Sequence, residues 1–188
     1  IIDAVSSKKN VLAIMPTGGG KSLCFQLPAL ISEGLTVVIS PLIALMRDQV
    51  RGLQAAGVAA GALTSGNTED ETDAVFSEIY AGKLKILYVA PERLASSAMQ
   101  SALFRFNVTS LVVDEAHCVS QWGHDFRPDY LRIGELRKSL GVPLAAFTAT
   151  ADKETRKEIT ERLFDGVVPK VFLHGFDRPN IYLSFAVK

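Results

Sequence analysis

The chain has 188 residues, 48% of them hydrophobic and 21% charged, with Lys plus Arg and Asp plus Glu balanced at 20 each. That composition excludes a disordered polymer, and the neutral balance supplies no global basic field for nucleic acid while leaving room for a local groove. Apolar runs such as Val11 to Met15 stop after about five residues, where a bilayer span takes about twenty, so no membrane segment is expected.

In chain order, apolar runs bounded by turn residues alternate with amphipathic stretches, the pattern of a parallel sheet with crossover helices on both faces in one compact α/β domain. Strands are expected at Val11 to Met15, Thr36 to Ser40, Ala59 to Leu63, Lys85 to Ala90, Ser110 to Asp114, Leu144 to Thr148 and Lys170 to Leu173. Their near-continuous apolar character predicts cover on both faces. Helices are expected at Lys21 to Ile31, then from Ser40 as cap with Pro41 in the first turn to a stop at Gly57, where Leu42, Leu45, Met46, Val50 and Leu53 form the apolar stripe. Thr68-Glu69-Asp70-Glu71 has the capping-box spacing and opens a helix ending near Gly82. Others are expected at Ser96 to Phe104, Tyr130 to Leu140 and Asp152 to Leu163. The two cysteines, Cys24 and Cys118, lie far apart and lack the paired spacing of a zinc site, so neither a disulfide framework nor a structural metal such as zinc is expected, which fits an intracellular, reducing compartment. With no leader before Ile1, the chain is expected to be a piece of something longer.

Three segments carry chemistry. The first strand runs through Pro16 into Thr17-Gly18-Gly19-Gly20-Lys21-Ser22 and then a helix. Glycines let successive N–H groups point inward, the helix start adds positive potential, Lys21 is suited to the β- and γ-phosphates and the Ser22 hydroxyl to Mg²⁺. The usual pattern would place Gly or Ala at position 15, where this chain has Met15. The second segment ends an apolar strand in Asp114-Glu115-Ala116-His117. A parallel sheet delivers Asp114 to the same edge as the glycine loop, as a partner for the metal, and Glu115 is the candidate base for the attacking water. His117 alone suits a core histidine, a metal ligand or a relay. The third, Ser120 to Arg127, lacks periodicity and reads as a loop. Its Gln121, Trp122, His124, Phe126 and Arg127 suit stacking on unpaired bases and pairing with phosphate, or plugging of the loop onto the core. Ser40-Pro41 and Pro91 with Arg93 end two strands at the same edge, as contacts to a phosphodiester backbone or as plain strand terminators. Thr148 and Thr150 either cap the next helix or link the acids to the rest of the site.

Taken in order, these motifs, with Phe176-Asp177-Arg178-Pro179-Asn180, resemble the first RecA-like lobe of RecQ-family DNA helicases. The resemblance implies a RecA-like P-loop lobe over 1–175, with 176–188 starting the connection to a second RecA-like lobe. It implies ATP and Mg²⁺ as cofactors, single-stranded and partly duplex DNA as partners, and 3′-to-5′ movement coupled to unwinding in repair or recombination. By the same resemblance His117, Thr148 and Thr150 couple hydrolysis to DNA, and Ser120 to Arg127 is the aromatic-rich DNA sensor. Location would be cytoplasm and nucleoid in a bacterium or the nucleus in a eukaryote. The adenine-reading segment and the lobe carrying the arginine finger lie outside the chain, so this piece alone is expected to hydrolyse ATP negligibly. The competing reading is a non-catalytic nucleic-acid-binding module with a P-loop fold, and RNA is an alternative substrate.

Overall fold

The structure, a computed structural model, describes residues 1–94, 96–121 and 125–174. The elements run α1 (Ile2–Ser6), β1 (Val11–Ile14), α2 (Lys21–Ile31), β2 (Leu35–Ile39), α3 (Ile43–Ala55), β3 (Ala60–Leu63) and α4 (Glu69–Tyr80). They continue with β4 (Ile86–Val89), α5 (Pro91–Leu94), α6 (Ser97–Arg105), β5 (Val108–Val113), α7 (Ile133–Leu140), β6 (Leu144–Thr148), α8 (Lys153–Phe164) and β7 (Lys170–Leu173). Two 3₁₀ turns, Ala116–Val119 and Pro128–Arg132, lie between β5 and α7.

All seven strands are parallel, in the order β3-β4-β2-β5-β6-β1-β7. The alternation of side chains along each strand divides the core in two. Val11, Ala13, Val38, Ile86, Val112 and Phe147 pack with α1, α2 and α3. On the other face, Leu12, Val37, Leu87, Leu111 and Ala146 pack with α4, α6, α7 and α8. Both faces of the central strands are dry, as near-continuous apolar runs demand. β7 departs from the expectation of a covered strand. It forms an edge, and Val171 and Leu173 are exposed although the composition is that of an interior strand. At the opposite edge, Gln54 and Asn67 donate side-chain hydrogen bonds to the Ala60 and Ala62 carbonyls, occupying acceptors that an open edge would offer another strand.

Local signals act where they were expected, with one reassignment. Thr68 Oγ1 accepts from Glu71 N–H while the Glu71 carboxylate accepts from Thr68 N–H, a complete capping box. Asp152 caps α8 through Thr155 N–H, and Ser96 caps α6. Ser40 does not cap α3: Leu42 occupies that position, and the Ser40 hydroxyl donates instead to Asp114. A carboxylate brought alongside by the fold competes better for the hydroxyl than the start of a helix two residues on.

α7 crosses α8 so closely that a Cβ on Gly134 would collide with the Arg162 carbonyl. Overpacking against rigid backbone costs about 1–3 kcal/mol. Gly134→Ala is therefore expected to lower the urea midpoint by that amount of stability with an unchanged slope.

Candidate nucleotide site

The five residues from Pro16 to Gly20 hold their shape for stated reasons. Gly18 and Gly20 each adopt φ +79°, a left-handed conformation costly for residues with a Cβ. At Gly19 an added Cβ would come within 2.9 Å of the Pro16 carbonyl oxygen. Each glycine is thus required, two by backbone angle and one by close approach, and the exposed loop leads straight into α2. Lys21 Nζ reaches back over the loop to the Met15 carbonyl at 3.4 Å. A glycine-forced loop, an ammonium over it and a helix start behind it fit a polyphosphate. α2 is pinned below: Gln26 Nε2 donates to Gln49 Oε1 on α3 at 2.7 Å and to the Tyr88 hydroxyl on β4 at 2.9 Å. Burial pushes the Tyr88 phenol up to about 12.

The register of the sheet brings the acids to this loop. Met15 N–H donates to the Thr148 carbonyl and Asp114 N–H to the Ile39 carbonyl, so the ends of β1, β6, β5 and β2 are level. With β6 alone between β1 and β5, the loop root and Asp114 lie about 10 Å apart. Asp114 Oδ1 accepts from Glu115 N–H at 3.0 Å, Oδ2 accepts from Ser40 Oγ at 3.3 Å, and its carbonyl accepts from the buried Tyr130 hydroxyl at 3.1 Å. Burial, then the neighbouring Glu115 charge, raises the Asp114 carboxyl, opposed by the Glu115 N–H, Lys21 and Ser40. A carboxylate half withdrawn from water and close to a lysine is suited to a divalent cation, with Ser22 at the start of α2 as the second oxygen ligand.

Glu115 has φ +49° and ψ +48°, a left-handed conformation in a residue with a full side chain. Such strain costs about 1–3 kcal/mol and persists only where surroundings enforce it. Beyond it, the Ala116–Val119 turn carries His117, whose Nδ1 lies 2.9 Å from Thr148 Oγ1 and 3.3 Å from Glu115 Oε2. The Thr148 hydroxyl donates to the Thr150 carbonyl, so toward the histidine it accepts. His117 is raised to about 10, by Cys118 first and Glu115 second. Thr148 does not cap α8, which Asp152 does; its hydroxyl meets His117, which in turn faces Glu115.

Gln121, Phe126 and Arg127 are described, whereas Trp122, His124 and the segment 176–188 lie outside the described residues. Arg127 N–H donates to the Cys118 carbonyl at 2.9 Å, which closes the base of the segment. Ser40 and Pro91 are buried, so their side chains offer a nucleic acid no surface, while Pro41 and Arg93 at the same edge are half-buried.

Sequence reasoning missed Glu158. Its Oε2 accepts from the Ser120 hydroxyl and from Gln121 N–H, and its Oε1 from Arg162. The available signal was a carboxylate beside the apolar stripe Thr155, Ile159 and Leu163 of α8. Desolvation pushes Glu158 up, but the Ser120 hydroxyl, Arg162 and the Gln121 N–H outweigh it and hold the carboxyl below its ordinary value. A depressed carboxyl stabilises the fold above its ordinary value of 4.5, and the benefit is lost as pH falls through the folded value. The stability difference between the parent and Glu158→Gln, followed by urea unfolding, should be present near neutral pH and shrink as pH drops below that range.

The fold and site define a P-loop ATPase-like lobe of the helicase type. Residues 1–159 match the family model described as DEAD/DEAH box helicase, and the chain belongs to that family. It is 47% identical over 189 residues to the ATP-dependent DNA helicase RecQ of Pasteurella multocida, covering all of this chain and 30% of that protein. It is 44% identical over 185 residues to the probable ATP-dependent DNA helicase RecS of Bacillus subtilis, covering 97% of this chain and 37% of that one. The chain thus spans about a third of these relatives. Among solved structures, the DUF1998 helicase MrfA bound to DNA superposes over 91% of this chain and 26% of its own, with TM-score 0.71 and 18% identity. A hypothetical ATP-dependent RNA helicase from Sulfolobus tokodaii does so over 90% and 50%, with TM-score 0.69 and 20% identity. Both likenesses establish the fold.

Proposed function

We propose that the chain is the ATP-binding lobe of a DNA helicase that, as a whole protein, moves 3′ to 5′ along single-stranded DNA and separates duplexes. The observation that carries this is the convergence at one sheet edge of the glycine-forced loop with Lys21, the Asp114–Glu115 pair, and the contacts joining Glu115 to His117 and Thr148. The similarity to the ATP-dependent DNA helicases of Pasteurella multocida and Bacillus subtilis supports the substrate.

In this reading the loop N–H groups hold the triphosphate and Lys21 neutralises its terminal charges. Ser22, and Asp114 through water, would hold Mg²⁺, whose charge would offset that building on the phosphate oxygens. Glu115 orients the attacking water and takes its proton. A displacement of Glu115 reaches His117 directly, and through the Ala116–Val119 turn it reaches Ser120, Gln121 and the segment closed by Arg127. Gln121, Trp122, His124, Phe126 and Arg127, with Pro41 and Arg93, form the DNA side; a second lobe closes the cleft.

ATP hydrolysis with and without single-stranded DNA, by this chain and by a protein extended to the length of the relatives, tests the reading. A nearly silent chain beside a DNA-stimulated longer protein is expected. In the longer protein Glu115→Gln should lower turnover by about 10²-fold or more while ATP still binds. Turnover indifferent to DNA, or undiminished in Glu115→Gln, would sink the proposal.

A further inference from the structure

The spacing of the cysteines argues against a cysteine-pair zinc site, yet the fold gathers a different donor set. His117 Nε2, Cys118 Sγ and Asp125 Oδ2 stand 3.9 Å apart along all three sides. The centre of such a triangle is about 2.3 Å from each corner, the length of a zinc–sulfur bond and within about 0.3 Å of zinc–nitrogen and zinc–oxygen bonds. We propose that this triangle is a binding site for Zn²⁺ or a similar borderline-soft divalent ion, separate from the oxygen-ligated cation at the phosphate loop.

The far side of the histidine supports the assignment. The Thr148 hydroxyl has spent its hydrogen on the Thr150 carbonyl, and Glu115 is a carboxylate, so both face Nδ1 as acceptors. They hold a proton on Nδ1, so the proton that a binding ion displaces is the one on Nε2, whose lone pair then faces the triangle. This is the outer-shell arrangement of zinc-bound histidines, in which a carboxylate fixes the tautomer and ring orientation. Cys118 Sγ is carried by the rigid Ala116–Val119 turn and is buried, whereas the Asp125 side chain is 53% exposed and supplies the path of entry. Arg127 lies 3.9 Å from the other Asp125 oxygen and leaves Oδ2 to the triangle.

The chemistry of the donors selects the ion. One imidazole, one thiolate and one carboxylate suit zinc, while Mg²⁺ takes oxygen ligands in an octahedron. On binding, the thiol proton and the Nε2 proton of the charged imidazole leave to solvent, and a fourth position stays open for water. A bound ion also clamps Cys118 to Asp125 and occupies Nε2 of the histidine that faces Glu115 and Thr148. It would act as a metal-responsive brake on the link between the acid pair and the segment Ser120 to Arg127. The site itself does not depend on the nucleotide reading.

Cobalt(II) titrated into this chain is the test, because a thiolate ligand gives a charge-transfer band and four-coordination gives intense visible bands. Both bands are expected, to be abolished by one equivalent of Zn²⁺ and left by a large excess of Mg²⁺. Cys118→Ser should remove the charge-transfer band and Cys24→Ser should leave it. Asp125→Asn changes an exposed side chain, leaves folding unthreatened, and should weaken cobalt binding about tenfold or more. Absence of the band in the parent, its survival in a folded Cys118→Ser, or unchanged affinity in Asp125→Asn would overturn the site. Should Cys118→Ser fail to fold, as judged by circular dichroism, Asp125→Asn decides.

Discussion

The shared direction of the seven strands is the constraint on which the site depends. Lys21 and Asp114 are remote in sequence, and they face one another only because β1, β6 and β5 are paired in parallel with Ile14 beside Thr148 and Val113 beside Ala146. A slip of one residue in either ladder would turn the inner side chains of a strand from one core face to the other. The two core faces, filled separately by α1 to α3 and by α4 to α8, make that slip costly. Burial of hydrocarbon far from the chemistry is therefore what sets the level at which Met15, Ser40, Asp114 and Thr148 end their strands.

Much of this was legible in the sequence because it is local. Apolar runs marked the strands, Thr68 and Glu71 marked a capping box, and the strand-glycine-helix order marked the phosphate loop. The failures share a physical cause, which is dependence on a distant partner. Ser40 before Pro41 has the appearance of a helix cap, and only Asp114, 74 residues away, makes it a carboxylate's donor. β5 begins at Val108, two residues before the expected start at Ser110, because Val108 pairs with Leu35 across a register shift that leaves Thr109 as the extra residue. β7 has the residues of a buried strand and lies at an edge. Glu158 and Tyr130 serve the site from 38 and 16 residues away, which no local pattern encodes. The functional reading leaned on the family resemblance; the residues alone left His117 and Thr148 open.

The bend at Glu115 shows how the site concentrates stiffness. Its left-handed backbone costs about 1–3 kcal/mol. Around it, Asp114 N–H is tied to β2, Glu115 N–H to the Asp114 carboxylate, Cys118 N–H to the Glu115 carbonyl, and the Tyr130 hydroxyl to the Asp114 carbonyl. Net hydrogen bonds of about 1 kcal/mol each suffice together to hold the strain. The acid pair is thereby aimed by backbone rather than by rotamer, and the chain is turned so that His117 lands against Thr148.

Beyond that turn the chain is held on two sides. Ser120 is buried, its N–H donates to the His117 carbonyl, and its hydroxyl donates to Glu158 on α8, which also accepts from Gln121 N–H. Asp125 meets His117, Cys118 and Arg127 at about 3.9 Å, and Arg127 N–H returns to the Cys118 carbonyl. The Ala116–Val119 turn therefore joins Glu115 to α8 on one side and to Asp125 and Arg127 on the other. A metal ion at His117, Cys118 and Asp125 would act on coupling because it would replace contacts of about 3.9 Å with bonds to one shared centre.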